Sequence, residues 1–286
     1  MELAKNGSGV VCDQHGIFEC KNNVFLFAPD KHFGDHWDTV IDDAVPEVKI
    51  EQAKSFLKPL FKHLGDTPDN TQMILDAGCG NGAHLTAIAQ QYDTLNLVGL
   101  DISPEAFEGF SQILRNRVWT VQADMQAPPF TRDGFDAIIA FGSLAYMPSP
   151  GAALLSLARL LKPGGTLGIW IAPPQPGLAG ALLRGVRRLC QLTGRIGTKM
   201  MTNALVPFLG LMPTKSGIHL RNATWKQCRE VIQVNITPET LHFPTKTDMK
   251  TMLKDSGLEV LLEVENEPYT YWLHKPLTAE RKDMAS

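Results

Sequence analysis

With 286 residues the chain can bury a full core, as one large domain or one domain with additions. Hydrophobic residues make up 44% and charged residues 20%, which excludes a disordered or collagen-like chain, and no run approaches the roughly 18 apolar residues of a spanning helix. The net charge of −3 gives no strong global attraction to nucleic acid, and five scattered cysteines (12, 20, 79, 190 and 228) fit reduced thiols better than a disulfide framework.

The N-terminal residues have no hydrophobic core of a signal peptide, so a cytoplasmic location is expected. Cys12, His15 and Cys20 are spaced C-x2-H-x4-C and offer three ligands where structural zinc needs four. With no C-x-x-C pair, no metal is assigned. The segment reads instead as a small β-hairpin docked on the main domain.

From Gln72 to Thr166 strands alternate with helices. Met73 to Asp76 is a short apolar strand that ends in a glycine-rich turn, and Leu85, Ile88 and Ala89 follow at helical spacing. Leu95 to Leu100 is a second buried strand ending at Asp101. Ser103, Pro104 and Glu105 then supply an N-cap, a proline at the first helical position and an acid in the first turn. Val118 to Ala123 is a third strand, ending at Asp124, and Phe135 to Phe141 a fourth. A helix over about 151–161 is stopped by Lys162-Pro163-Gly164-Gly165, and Thr166 to Ala172 is a fifth strand. This alternation defines βαβ units and an α/β fold with a parallel sheet.

Pro173, Pro174 and Pro176 break the rhythm, and residues 177–236 read as an inserted, largely helical segment. A helix resumes at Lys246 to Lys254 and is closed by Ser256-Gly257. An antiparallel strand pair follows, Leu258 to Val264 and Tyr269 to His274. The expected organisation is an N-terminal leader or cap over 1–45, a ligand-binding core over 46–173, a basic helical insertion over 174–236 and completion of the sheet over 237–286.

The turn Asp76-Ala77-Gly78-Cys79-Gly80-Asn81-Gly82 joins a strand to a helix, where glycines let the backbone bend sharply and a ligand approach it. Gly78, Gly80 and Ala83 satisfy a dinucleotide pattern, so NAD is the first competitor. A carboxylate at Asp76, two residues before the first glycine, suits a cation rather than a pyrophosphate. Asp101 can accept both hydroxyls of a ribose, and Asp124 can accept from an adenine amino group. Three acids at three consecutive strand ends outline a nucleoside with a positive centre.

Leu75 to Gly82 resembles the signature of class I S-adenosylmethionine-dependent methyltransferases. Four further stretches fall in the same order: Gly99 to Glu105, Gln122 to Met125, Phe135 to Ile139 and Leu160 to Gly165. The resemblance covers about 70–173 closely. It implies a Rossmann-like seven-stranded sheet, five parallel strands plus a C-terminal antiparallel pair, with helices on both faces and a helical insertion after strand 5. It implies S-adenosyl-L-methionine as cofactor. Gly78, Gly80 and Gly82 would line its methionine part with Asp76 near the amino group, Asp101 and Ile102 would hold ribose and adenine, and Asp124 and Met125 the adenine amino group and ring. Phe141, with Gly142 and Ser143, would lie where the fourth strand opens toward the sulfonium and the acceptor. The leader, with Phe33-Gly34-Asp35-His36-Trp37, is similar to one subgroup with a zinc-ribbon-like module and an F-G-x-x-W element. Only the second half of such a ribbon is present here.

Charge is unevenly spread. Between Pro176 and Arg229 there are nine Lys or Arg and no Asp or Glu, which leaves 18 basic and 30 acidic residues elsewhere, a body of −12. Over 181–198, Leu182, Leu183, Val186, Leu189 and Cys190 fall on one helical face, and Arg184, Arg187, Arg188 and Arg195 on the other. Three readings stand: a solvated basic face, a lid favouring an anionic or lipid-like acceptor, and a surface for membrane or RNA.

Methyl transfer from a sulfonium needs proximity and orientation, with a general base for some acceptors. Tyr146, His36 and His219 are the candidates, none in a motif that assigns it. The sequence lacks the N/D-P-P-Y/F tetrapeptide of nucleobase amino-methylating enzymes after Phe141, and no cysteine marks a C5-pyrimidine enzyme. The expected function is methylation of a small-molecule acceptor at O, N or C, with no DNA partner. The alternatives are an RNA methyltransferase using the basic insertion and a non-catalytic binding protein on the same fold.

Overall fold

The computed structural model describes residues 24–27, 45, 47–174, 240–264 and 269–277, with 177, 180–181, 184–190, 192–193, 200 and 204 in the insertion and the backbone of 10–12, 16–18 and 20–21. The chain divides into two compact units. One comprises Met1–Lys31, Asp43–Pro173 and His242–Ser286, the other His32–Asp42 and Pro174–Leu241. Among the described residues no helix is long and apolar enough to cross a membrane.

Short strands open the chain: β1 (Val10–Cys12) and β2 (Gly16–Phe18) pair antiparallel with each other, and β3 (Cys20–Lys21) pairs with β4 (Val24–Leu26). The sequence reading had no element over α1 (Glu47–Leu64). Its buried face is Ile50, Ala53, Phe56, Leu57 and Leu60, a helical period that Pro59 interrupts in sequence but not in space.

The core then runs as expected: β5 (Met73–Ala77), α2 (Ala83–Gln91), β6 (Asn96–Asp101), α3 (Gln112–Arg117), β7 (Val118–Gln122), β8 (Phe135–Phe141), α4 (Pro150–Leu160) and β9 (Leu161–Trp170). After the insertion come α5 (Lys246–Ser256), β10 (Glu259–Glu263) and β11 (Thr270–His274). Thr245 and Asp248 form a reciprocal capping box on α5, and Gly257 closes it in the left-handed conformation.

One nine-stranded sheet has the order β10-β11-β9-β8-β5-β6-β7-β4-β3. The expected seven strands are all present, β5 to β9 parallel and β10 and β11 antiparallel, and the leader adds β4, parallel to β7, with β3 at the edge. From β5 the chain builds outward through β6 and β7, then returns to β5's other side with β8 and β9. Right-handed crossovers in opposite directions put α2 and α4 on opposite faces. The reversal between β5 and β8 is a topological switch point, where ligands bind outside the carboxyl ends of the strands. The central strands are buried almost continuously, as a sheet covered on both faces requires.

Two local expectations are corrected. Lys162 to Gly165 does not form a loop before a strand at Thr166: β9 already starts at Leu161, with a register irregularity against β8. The start is pinned by Lys162 Nζ on Asp136 Oδ2 at 2.7 Å and by reciprocal backbone bonds of Gly164 and Gly165 with Lys275 at 2.7 and 3.0 Å. Asp136 Oδ2 also accepts from the Met73 amide at 2.8 Å, so one carboxylate ties the starts of β5, β8 and β9. Ser103-Pro104-Glu105 opens a single 3-10 turn, Pro104–Phe107, and the α-helix begins only at Gln112, capped by Ser111. The Ser103 hydroxyl makes no capping bond there, and the backbone N–H of Ser103 donates to Asp101.

Candidate functional site

The turn after β5 is forced into shape by three glycines with positive φ: 78° at Gly78, 50° at Gly80 and 81° at Gly82. The amides of Gly78 and Cys79 both donate to the Leu100 carbonyl of β6, at 2.7 and 3.0 Å. The turn is thereby folded back over the end of the neighbouring strand. The glycines differ in what they make room for. A Cβ on Gly82 would lie 2.6 Å from Leu114 Cδ1 and 2.9 Å from Phe110 Cε1, so that glycine serves packing beneath α3. A Cβ on Gly78 would lie 2.3 Å from Ser143 Cβ and 3.2 Å from Met125 Cε. Gly78 is where the ends of β5 and β8 come together with the loop after β7. Ser143 seals the contact, its hydroxyl donating to the Ala77 carbonyl at 2.7 Å.

Two carboxylates are buried beside this turn. Asp76, in β5, is 1% exposed, and its Oδ2 has no hydrogen-bond partner among the described residues. Burial, helped by the charge of Asp101, pushes its carboxyl up to about 8. Among the described residues, the basic atom that faces it is His84 Nδ1, 3.9 Å away, beyond hydrogen-bonding distance. Burial holds His84 down to about 4. At neutral pH the two face each other as a carboxylic acid and a neutral imidazole, not as an ion pair.

Asp101, the last residue of β6, is differently supported. Its Oδ2 accepts from the Gly80 amide at 3.0 Å and its Oδ1 from the Ser103 amide at 3.1 Å. Burial raises it to about 6, with backbone N–H groups of Ser103, Gly80 and Ile102 opposing the rise. Asp101 thus shapes the turn and keeps lone pairs for a ligand. Asp124, two residues past β7, is half-buried and closes an Asx turn by accepting from Gln126 N at 2.9 Å. Ile102 is half-buried and Met125 buried.

At the end of β8, Phe141 stacks on Trp170 with centroids 4.9 Å apart and planes 14° from parallel. It also meets His84 and Phe56, each at 4.9 Å, and Phe56 continues to Trp272 at 5.3 Å. These rings pack around His84, whose Nδ1 faces Asp76. Tyr146 is half-buried in the 3-10 turn after β8, its amide bonded to the Ser143 carbonyl at 3.1 Å.

The strand ends therefore bring together Asp76, Gly78, Gly80, Asp101, Ile102, Asp124, Met125, Phe141 and Tyr146. His36 and His219 lie outside the described residues, as do Trp37 and the side chains of Cys12, His15 and Cys20. Among the described residues no three His, Cys, Asp or Glu side chains form a metal-binding group. Sequence reasoning missed His84 and the wall of Phe56, Trp170 and Trp272. The sole signal for His84 was its place eight residues after Asp76, in the first turn of the helix that the glycine turn feeds.

Residues 74–165 match the family described as methyltransferase domain. Over 143 residues the chain is 30% identical to sterol 4-C-methyltransferase strm-1 of Caenorhabditis elegans, covering 48% of this chain and 41% of that protein. It is 32% identical over 104 residues to 2-methyl-6-phytyl-1,4-hydroquinone methyltransferase 1, chloroplastic, of Oryza sativa subsp. japonica, covering 36% and 31%. The chain thus spans less than half the length of these two relatives. In fold it is similar to the crystal structure of a possible exported protein from Bordetella parapertussis, with a TM-score of 0.51, 20% identity and coverage of 82% and 70%. Residues 74–165 are thus similar to a methyltransferase domain, on a sheet whose order and glycine turn agree with that match.

Proposed function

We propose that the protein transfers a methyl group from S-adenosyl-L-methionine to a small organic acceptor. The observation that carries this reading is Asp76: a carboxyl group buried to 1% exposure whose Oδ2 has no hydrogen-bond partner among the described residues, beside a glycine turn at the carboxyl ends of the strands. A buried acid of this kind, with Oδ2 unpaired among the described residues, calls for a cationic donor from a ligand.

The residues fit the cofactor. Asp76 Oδ2 would accept from its α-ammonium group, and Asp101 would accept from the ribose hydroxyls with its remaining lone pairs. Asp124 would take the adenine amino group between Ile102 and Met125. The sulfonium supplies an electrophilic methyl group for in-line displacement, for which orientation provides most of the acceleration. The chain's part is to hold the ligand against Gly78 and to leave the end of β8 for the acceptor. Tyr146 is the described candidate for a base there. The two relatives named for sterol and phytyl-hydroquinone methylation support an organic acceptor.

Calorimetry with S-adenosylhomocysteine tests this directly. One site per chain is expected, with no NAD binding. Asp101→Ala should weaken binding by about 1.5–3 kcal/mol, the worth of hydrogen bonds to a charged group. Wild-type affinity in that variant would remove the ribose assignment, and no binding by the wild type would remove the function. Transfer itself is read as a one-methyl mass gain in a metabolite extract, run beside total RNA.

A further inference from the structure

The methyltransferase reading leaves the segment after β9 unused. Residues 184–190 are helical and 192–193 continue the helix, with Thr193 Oγ1 donating to the carbonyls of Leu189 and Cys190 at 3.0 and 3.3 Å. The structure corrects the expected division of its faces. Gly180 and Cys190 are buried, and Val186 and Arg187 half-buried, whereas Arg184, Arg188, Leu189 and Leu192 are exposed. Leu189 therefore lies on the arginine side, and Arg187 turns partly inward.

On a helix, residues 184, 188 and 192 form one ridge, with Leu189 beside it. Leu189 is 48% exposed and Leu192 80%. Single exposed leucines are ordinary. Here two stand within a turn of each other against two arginines, in a segment with nine Lys or Arg and no acid. Water alone gives no reason to present the leucines. A nucleic-acid backbone would engage the arginines and leave the leucines idle. The interface of an anionic bilayer uses both, the guanidinium groups at lipid phosphates and the leucines among the upper acyl chains.

We propose that the face made by Arg184, Arg188, Leu189 and Leu192 docks the protein on an anionic lipid surface. Charge gives the docking a direction: the basic segment is attracted, while the rest of the chain, with 18 basic and 30 acidic residues, is repelled.

The test uses the full chain and sedimentation with phosphatidylcholine vesicles, with and without phosphatidylglycerol. Binding should need phosphatidylglycerol and weaken with added salt, since screening shortens to about 10 Å near 0.1 M. Each basic side chain near such a surface is worth about a factor of five, so Arg184→Gln with Arg188→Gln should weaken binding about twenty-five-fold. Leu192→Ser should weaken it about tenfold with no change of charge. Arg187 is left intact because it is partly buried. Thermal melting controls for folding, and vesicle binding requires no cofactor, so this result and that of the proposed function are read separately. Wild-type binding by Leu192→Ser would overturn the proposal, reducing the face to a charged one. So would salt-dependent binding of unstructured RNA without vesicle binding.

Discussion

The end of β5 and the helix at 184–193 both concentrate charge, and they use it in opposite ways. At Asp76 and Asp101 the charge is acidic, buried and fixed by strand geometry, so each carboxylate has its own environment and its own proton affinity. At Arg184 and Arg188 it is basic, exposed and repeated, so water screens each side chain and any effect is collective. Burial makes a charge chemically particular. Exposure makes it additive. Changes in the first region should therefore alter folding and ligand chemistry together, and changes in the second should alter neither.

Gly78 gives the largest expected effect on the buried side. Gly78→Ala puts a side chain at φ 78° and its Cβ 2.3 Å from Ser143 Cβ. The left-handed backbone costs about 1–2 kcal/mol and the overlap about 1–3 more. A loss of about 2–5 kcal/mol in urea unfolding is expected, with loss of S-adenosylhomocysteine binding. Adding Ser143→Gly removes the colliding atom and should restore part of the stability. Unchanged stability in Gly78→Ala would mean that the two strand ends do not meet so closely.

The Asp76 and His84 pair sets a pH dependence whose sign can be worked out. Unfolded, Asp76 loses its proton near 3.8, but folded it keeps it to about 8. The native state thus binds more protons across that range, and stability falls as pH rises. His84 acts the other way: held down to about 4 against an ordinary 6.5, it loses stability as pH falls below 6.5. Asp101, raised to about 6, adds to the Asp76 trend below that pH. Between 6.5 and about 8 Asp76 is the one of these three groups whose protonation still favours the native state, so the ligand-free protein should lose stability there and Asp76→Asn should lose less. Ligand affinity has the opposite sign. An ammonium group favours the ionised carboxylate, so S-adenosylhomocysteine binding should tighten about fivefold from pH 7 to 8 in the wild type and stay flat in Asp76→Asn. Flat affinity in the wild type would break the link between Asp76 and the ammonium group.

These differences also explain what the sequence made legible. The glycine turn and the acids at 76, 101 and 124 are readable because βαβ units deliver strand ends at regular intervals, and because glycine at positive φ is a local demand of the backbone. The sheet's seven strands follow from the same alternation. Helix α1 carries Pro59, a residue that favours a break, yet Ile50, Phe56 and Leu60 keep the helical period across it. The extra strand β4 was hidden because Val24-Phe25-Leu26 is too short to name its partner, which is β7. His84 was hidden because its partner Asp76 is fixed across a strand, a turn and a helix. At Leu189 the phase of the helix was assumed from polarity, and packing around Gly180 and Cys190 turned it.

The smallest expected effect belongs to the exposed helix, and its smallness is the informative part. Arg184 and Arg188 are both exposed, and neither lies in the unit that contains the strand ends. Exposed charges away from caps and buried networks change stability by within about 0.5 kcal/mol. Replacing both with Gln should therefore leave the melting temperature nearly unchanged and S-adenosylhomocysteine affinity within about twofold. The same double variant is expected to fail on anionic vesicles, so fold, cofactor site and surface docking separate in one protein. A marked drop in melting temperature would show that these arginines hold structure in the second unit. A marked drop in cofactor affinity would show that the two regions are coupled, and the contrast between buried and exposed charge would then no longer divide the molecule by function.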